Sequence, residues 1–128
     1  MNIKKSIVGS MFSMLLVSEM AVADWGDVYY CQMTNNLTIT HDAEMKNYPL
    51  ERFQFKLDQT KNAMVFGSKG YFINGVIKLV DGWGGFISQE TWKANNEYSM
   101  ITFDNGEFLY TYNGGLSATV ISADCDKF

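Results

Sequence analysis

The stretch "ITHDAEM" holds the side chains best suited to chemistry. It contains the chain's only histidine, His41, followed by Asp42 and, after one alanine, Glu44. An imidazole beside two carboxylates can bind a cation or move a proton. A metal site needs ligands that converge, however, and three near-neighbours in one polar segment read instead as a solvated strand end. Nucleophilic catalysis needs a nucleophile, a base and an orienting group within hydrogen-bond reach, and no such trio stands out. The carboxylates are spread along the chain, so no two are set apart for acid–base work. "GSKG" at 67–70 has a phosphate-loop look. It lacks the GK[ST] ending and a following helix, so it reads as a turn. The expectation is a non-enzymatic protein with no catalytic residue, no metal and no cofactor.

The two cysteines point elsewhere. Cys31 and Cys125 are the only pair, so a bridge between them has one connectivity. With one histidine and no CxxC spacing they are a poor metal set. The compartment follows from the first residues, MNIKKSIVGSMFSMLLVSEMAVAD. Lys4 and Lys5 form a positive start, residues 7–17 are mostly apolar, and Ala21-Val22-Ala23 offers small residues where a leader peptidase cuts. The apolar run is too short to span a bilayer, which takes about 20 residues. Residues 1–23 are thus expected to be a signal peptide and 24–128 a single β domain with no membrane span, periplasmic or secreted. An oxidising compartment favours the Cys31–Cys125 disulfide, and its geometry requires the first and last strands to be neighbours. The net charge of −4 becomes one unit more negative when Lys4, Lys5 and Glu19 leave. That excludes the basic footprint of a nucleic-acid binder.

The elements that must carry these residues show a period of two. In "ERFQFKLD", Phe53, Phe55 and Leu57 alternate with Arg52, Gln54 and Lys56, the mark of a half-buried strand. Asn105-Gly106 predicts a tight hairpin between strands at 99–104 and 107–113, because Asn-Gly accepts positive φ angles. Asn74-Gly75 predicts another between 71–73 and 76–80. Further strands are expected at 27–33, 37–41, 52–58, 63–67, 85–88 and 118–125, with a loop over 42–48 ended by Pro49. The best helical window, "SQETWKANNEY", predicts one turn, with Ser88 as cap and Trp92 packing. Short connections predict an all-β fold: a small antiparallel meander closing into a barrel or strongly rolled sheet, its ends joined by the disulfide.

Aromatic residues are the remaining functional signal. Trp83 sits in "DGWGGF", where it either folds onto the barrel mouth or anchors a sugar or protein partner. An eight-stranded interior is either filled by side chains or holds one small ligand. Phe53, Phe55, Tyr110 and Tyr112 join Trp83 as candidate ligand- or partner-binding residues. Trp25 is expected over a barrel end and Trp92 in the core.

The segments "ADWGDVYYCQM", "FQFKLDQTKNAMVFGSKGYF" and "ISADCDKF" resemble small exported proteins of unknown function from aquatic bacteria, over nearly all of 24–128. A looser, architectural resemblance is to the periplasmic inhibitors of c-type lysozyme. Those are small barrels with Tyr-x-Cys near the start and a cysteine near the end, as Tyr29-Tyr30-Cys31 and Cys125 are here. Their inhibitory SGxxY motif has no counterpart in this sequence, so no inhibitory residue is carried over. The expected role is an exported β-barrel that binds a small ligand or an exported protein; the alternative is an inhibitor-like protein acting on another exported protein.

Overall fold

A computed structural model describes residues 23–80 and 91–128. The described chain is all-β and antiparallel: β1 (Val28–Thr40), β2 (Met45–Asn47), β3 (Arg52–Asp58), β4 (Ala63–Phe66), β5 (Val76–Lys78), β6 (Trp92–Asn95), β7 (Ser99–Asp104), β8 (Glu107–Asn113) and β9 (Ser117–Lys127). Their order in the sheet is β5-β4-β3-β1-β9-β8-β7-β6, with β2 paired to β1. A bridge between Leu79 and Ala94, and a bond from Val80 N–H to the Lys93 carbonyl (2.8 Å), bring the two free edges together. The sheet is thereby nearly closed into a barrel, as the short connections predict.

The first and last strands are neighbours along most of their length, from Tyr29 opposite Lys127 to Thr40 opposite Ser117. Cys31 and Cys125 face each other in that ladder and are joined by a disulfide, with Cα atoms 4.0 Å apart. The expected strands at 27–33 and 37–41 are one strand. The polar run Thr34-Asn35-Asn36 looks like a break, but a register shift between Met33 and Asn35 absorbs it. Thr34 and Asn35 then reach the Ser122 hydroxyl (2.7 and 2.8 Å), and Asn36 Nδ2 donates to the Pro49 carbonyl (3.2 Å).

Three other elements differ from expectation. The segment 42–48 is not all loop: a turn with Ala43 at φ +66° leads into β2. All three β2 residues are exposed, so no apolar alternation marked it. Residues 71–73 form a turn rather than a strand. Gly70 (φ +88°) and Asn74 (φ +54°) reverse the chain there, and the turn drops Phe72 into the interior. The Asn74-Gly75 hairpin is therefore a longer loop, residues 67–75, between β4 and β5. Trp92 to Asn95 form a strand instead of a helical turn, because Ala94 is fully buried opposite Ile101 and Trp92 lies opposite Phe103. Ser88 and the expected strand at 85–88 lie outside the described residues.

Among the described residues, the interior is lined by closely packed side chains. Phe55, Leu57, Met64, Ile101, Phe103 and Ile121 are at most 1% exposed. Rings meet edge-on or tilted: Phe53 with Phe72 (5.0 Å) and Phe108 (4.9 Å), Phe55 with Phe103 (5.1 Å), Tyr29 with Phe103 (4.6 Å). Such pairs add roughly 0.5–1.5 kcal/mol each beyond their burial. One barrel end is floored by Trp25, which meets Trp92 edge-on at 5.0 Å and packs on the core. Gly26 (φ +89°) lets the chain turn there, its N–H donating to the Leu57 carbonyl at 2.7 Å.

Candidate functional site at the open end of the barrel

The end opposite Trp25 is built from the turns after β1, β6 and β8. Asn96 shapes the β6–β7 turn: its Oδ1 accepts from Tyr98 N–H, Ser99 N–H and the Ser99 hydroxyl (3.1, 2.9 and 2.7 Å). This locks the turn and leaves Tyr98 pointing to solvent. Asn113 Oδ1 accepts from Gly115 N–H (3.0 Å), and Gly115 takes φ +94°. That tight turn displays Leu116. His41 N–H donates to the Leu116 carbonyl (2.8 Å), joining the β1 turn to the same rim. The three turns enclose an open groove of about 690 Å³, lined by Ile39, Thr40, His41, Tyr98, Tyr112 and Leu116 among others.

The groove is mixed in character, with polar side chains such as Asn95, Asn96 and Glu97 among large exposed apolar ones. Leu116 is 72% exposed and Tyr98 58%, with Ile39 and Tyr112 beside them. Met45, also exposed, pairs with Ile39, which in turn pairs with Ala118, so a row of apolar side chains runs from β2 to β9. Tyr71 and Ile73 stand exposed on the 67–75 loop, and the Tyr71 ring lies 5.8 Å from that of Tyr110. Thr40 Oγ1 is buried at the groove with no hydrogen-bond partner.

Beneath the rim, Tyr110 links mouth to core. Burial pushes its hydroxyl well above the ordinary tyrosine range; Tyr71 adds to this by charge and by hydrogen bond, while a hydrogen bond with Ser99 works against it. Tyr110 is held as a neutral, hydrogen-bonded phenol at neutral pH.

The candidate residues divide. Phe53 and Phe55 are buried core rings, and Tyr110 is buried below the rim. Tyr112 reaches the groove. Trp83 lies outside the described residues. His41 Nδ1 stands 3.2 Å from Asp42 Oδ1, and both side chains are well exposed. Among the described residues, no three His, Cys, Asp or Glu side chains are grouped to hold a metal. The residues missed by sequence reasoning are Tyr98, Leu116, Ile39, Met45 and Tyr71. The available signal was a large apolar residue inside a turn sequence, in "NNEYS" and "GGLS".

A second groove, about 580 Å³, crosses the outer wall over β3, β1 and β9. It carries charged side chains, Arg52 and Lys69 on one side and Asp124 and Asp126 on the other, beside apolar Tyr30 and Phe53. Arg52 Nε already donates to Gln32 Oε1 at 2.9 Å. Among the described residues, no helix is long and apolar enough to cross a membrane. No protein-family model, curated protein or solved structure matches this chain.

Proposed function

We propose that this is an exported, non-enzymatic interaction protein that grips another exported protein with the open end of its barrel. One observation carries the reading: the interior is filled by interlocked aromatic rings, while large apolar side chains stand in solvent around the groove at one end. Rings in mutual contact inside a barrel of this size favour a side-chain-filled interior over a ligand cavity. Contiguous exposed apolar surface marks an interaction site, and tyrosine anchors are enriched at interface centres. The disulfide fits an oxidising compartment. An inhibitor-like protein acting on another exported protein is one specific form of this role.

The test is chemical cross-linking in the exported fraction, comparing the natural chain with a Tyr98→Asp, Leu116→Asp double variant. The natural chain is expected to yield one defined protein adduct that the variant loses. An adduct unchanged in the variant, or a co-purifying small molecule retained by both, would refute the assignment. Inhibition of a c-type lysozyme by the natural chain, lost in the variant, would establish the inhibitor form.

A further inference from the structure

The barrel floor holds an arrangement that the interaction surface does not use. The backbone nitrogen of Asp24 donates to Asp27 Oδ2 at 2.9 Å. The same oxygen lies 3.4 Å from Lys127 Nζ, and the Asp27 side chain is only 17% exposed. Asp27 N–H donates back to the Asp24 carbonyl (3.1 Å), closing a turn. Asp24 Oδ1 accepts from Trp25 N–H (2.7 Å). The turn is held from inside by Trp25 on Trp92 and by Gly26 on Leu57. One backbone nitrogen is thus fixed against a partly buried carboxylate, immediately after the small-x-small sequence Ala21-Val22-Ala23.

We propose that hydrolysis of the Ala23–Asp24 peptide bond creates an α-ammonium group at Asp24 that docks on Asp27, making the mature amino terminus a built anchor of the barrel floor. The proposal rests on the export reading. Water is the co-reactant and a leader peptidase the catalyst. The C–N bond breaks, the Ala23 carbonyl carbon gains the water oxygen and departs as a carboxylate, and the Asp24 nitrogen takes up protons. An amide with one N–H becomes a cation with three donors. Its bond to Asp27, already assisted by the carboxylate's charge, becomes an ion pair with charge on both partners. Lys127 shares Asp27 Oδ2, so that carboxylate gathers both ends of the chain: the new N-terminus and the last residues of β9. Tyr29 and the Asp24 carboxylate complete the polar surroundings of this turn.

The test has two parts. The intact mass of the exported protein is expected to begin at Asp24. The chain starting at Asp24 is then compared, free and Nα-acetylated, by thermal unfolding. Acetylation is expected to lower the midpoint by about 2–6 °C, the effect of one modest ion pair in a domain of this size. The difference should shrink at 1 M NaCl, where screening acts within about 3 Å, and vanish in Asp27→Asn. The salt comparison keeps the test valid if that variant fails to fold. A protein that stays in the cytoplasm with residues 1–23 intact overturns the export reading. A start at Asp24 with a midpoint insensitive to acetylation overturns the docking alone and leaves export standing. A start at another residue overturns this site assignment.

Discussion

Removing the disulfide with a Cys31→Ala, Cys125→Ala double variant should cost stability by acting on the unfolded chain. The bridge spans 94 residues of sequence. The chain-entropy relation gives about 4.7 kcal/mol for a loop of that length. In the folded state the bridge adds little, because the β1–β9 ladder already pairs the strands from Tyr29–Lys127 to Thr40–Ser117. The variant should therefore keep its native sheet. Residual structure in the unfolded chain commonly reduces the full value, so about 2–5 kcal/mol is expected. Small domains have only about 5–15 kcal/mol in total, so the loss is large. The assay is urea unfolding followed by tryptophan fluorescence, with far-UV circular dichroism confirming that the variant is folded in buffer. A loss under about 1 kcal/mol would refute the loop-entropy reasoning. So would a variant whose native sheet is absent without denaturant while its compact size is kept.

Two further outcomes test the interior. Phe108 is 2% exposed and touches Phe53, Phe55, Phe66 and Phe72; Phe108→Ala should cost about 3–5 kcal/mol by denaturant unfolding. Burial first, and Asp27 second, push the Tyr29 hydroxyl up to about 12. Unfolded tyrosine ionises near 10, so between pH 10 and 12 the unfolded state holds fewer protons and stability falls as pH rises. Below pH 10 both states keep the proton and stability is fully present. Stability measured across that window should drop less steeply in Tyr29→Phe.

Much of the barrel could be read from the sequence because burial on one face writes a period of two. Strand β3 and the hairpin at Asn105-Gly106 (φ +51° and +78°) are as the pattern requires. Where burial leaves no such trace, the pattern is silent. β2 is exposed on every residue, and Phe72 is drawn inward from a turn by rings contributed from β3, β4 and β8. The polar run at 34–36 hid a strand, since the Thr34 and Asn35 side chains bond to Ser122, more than eighty positions away in β9. The candidate site was less legible for a related reason. Aromatic alternation identified Phe53, Phe55 and Tyr110, which the fold uses for packing. The exposed apolar residues lie in turns or at strand ends, where only the three-dimensional meeting of the β1, β6 and β8 ends joins Ile39, Tyr98 and Leu116 into one surface.

The most direct measurement is amide hydrogen exchange on the cross-linked or reconstituted complex, compared with the protein alone. If the open end is the interaction surface, protection should gather on residues 39–45, 95–99 and 111–118, with the Trp25 floor and the β3-β1-β9 wall unchanged. Protection centred on the wall groove around Arg52 and Asp124, with the open end exchanging as before, would contradict it.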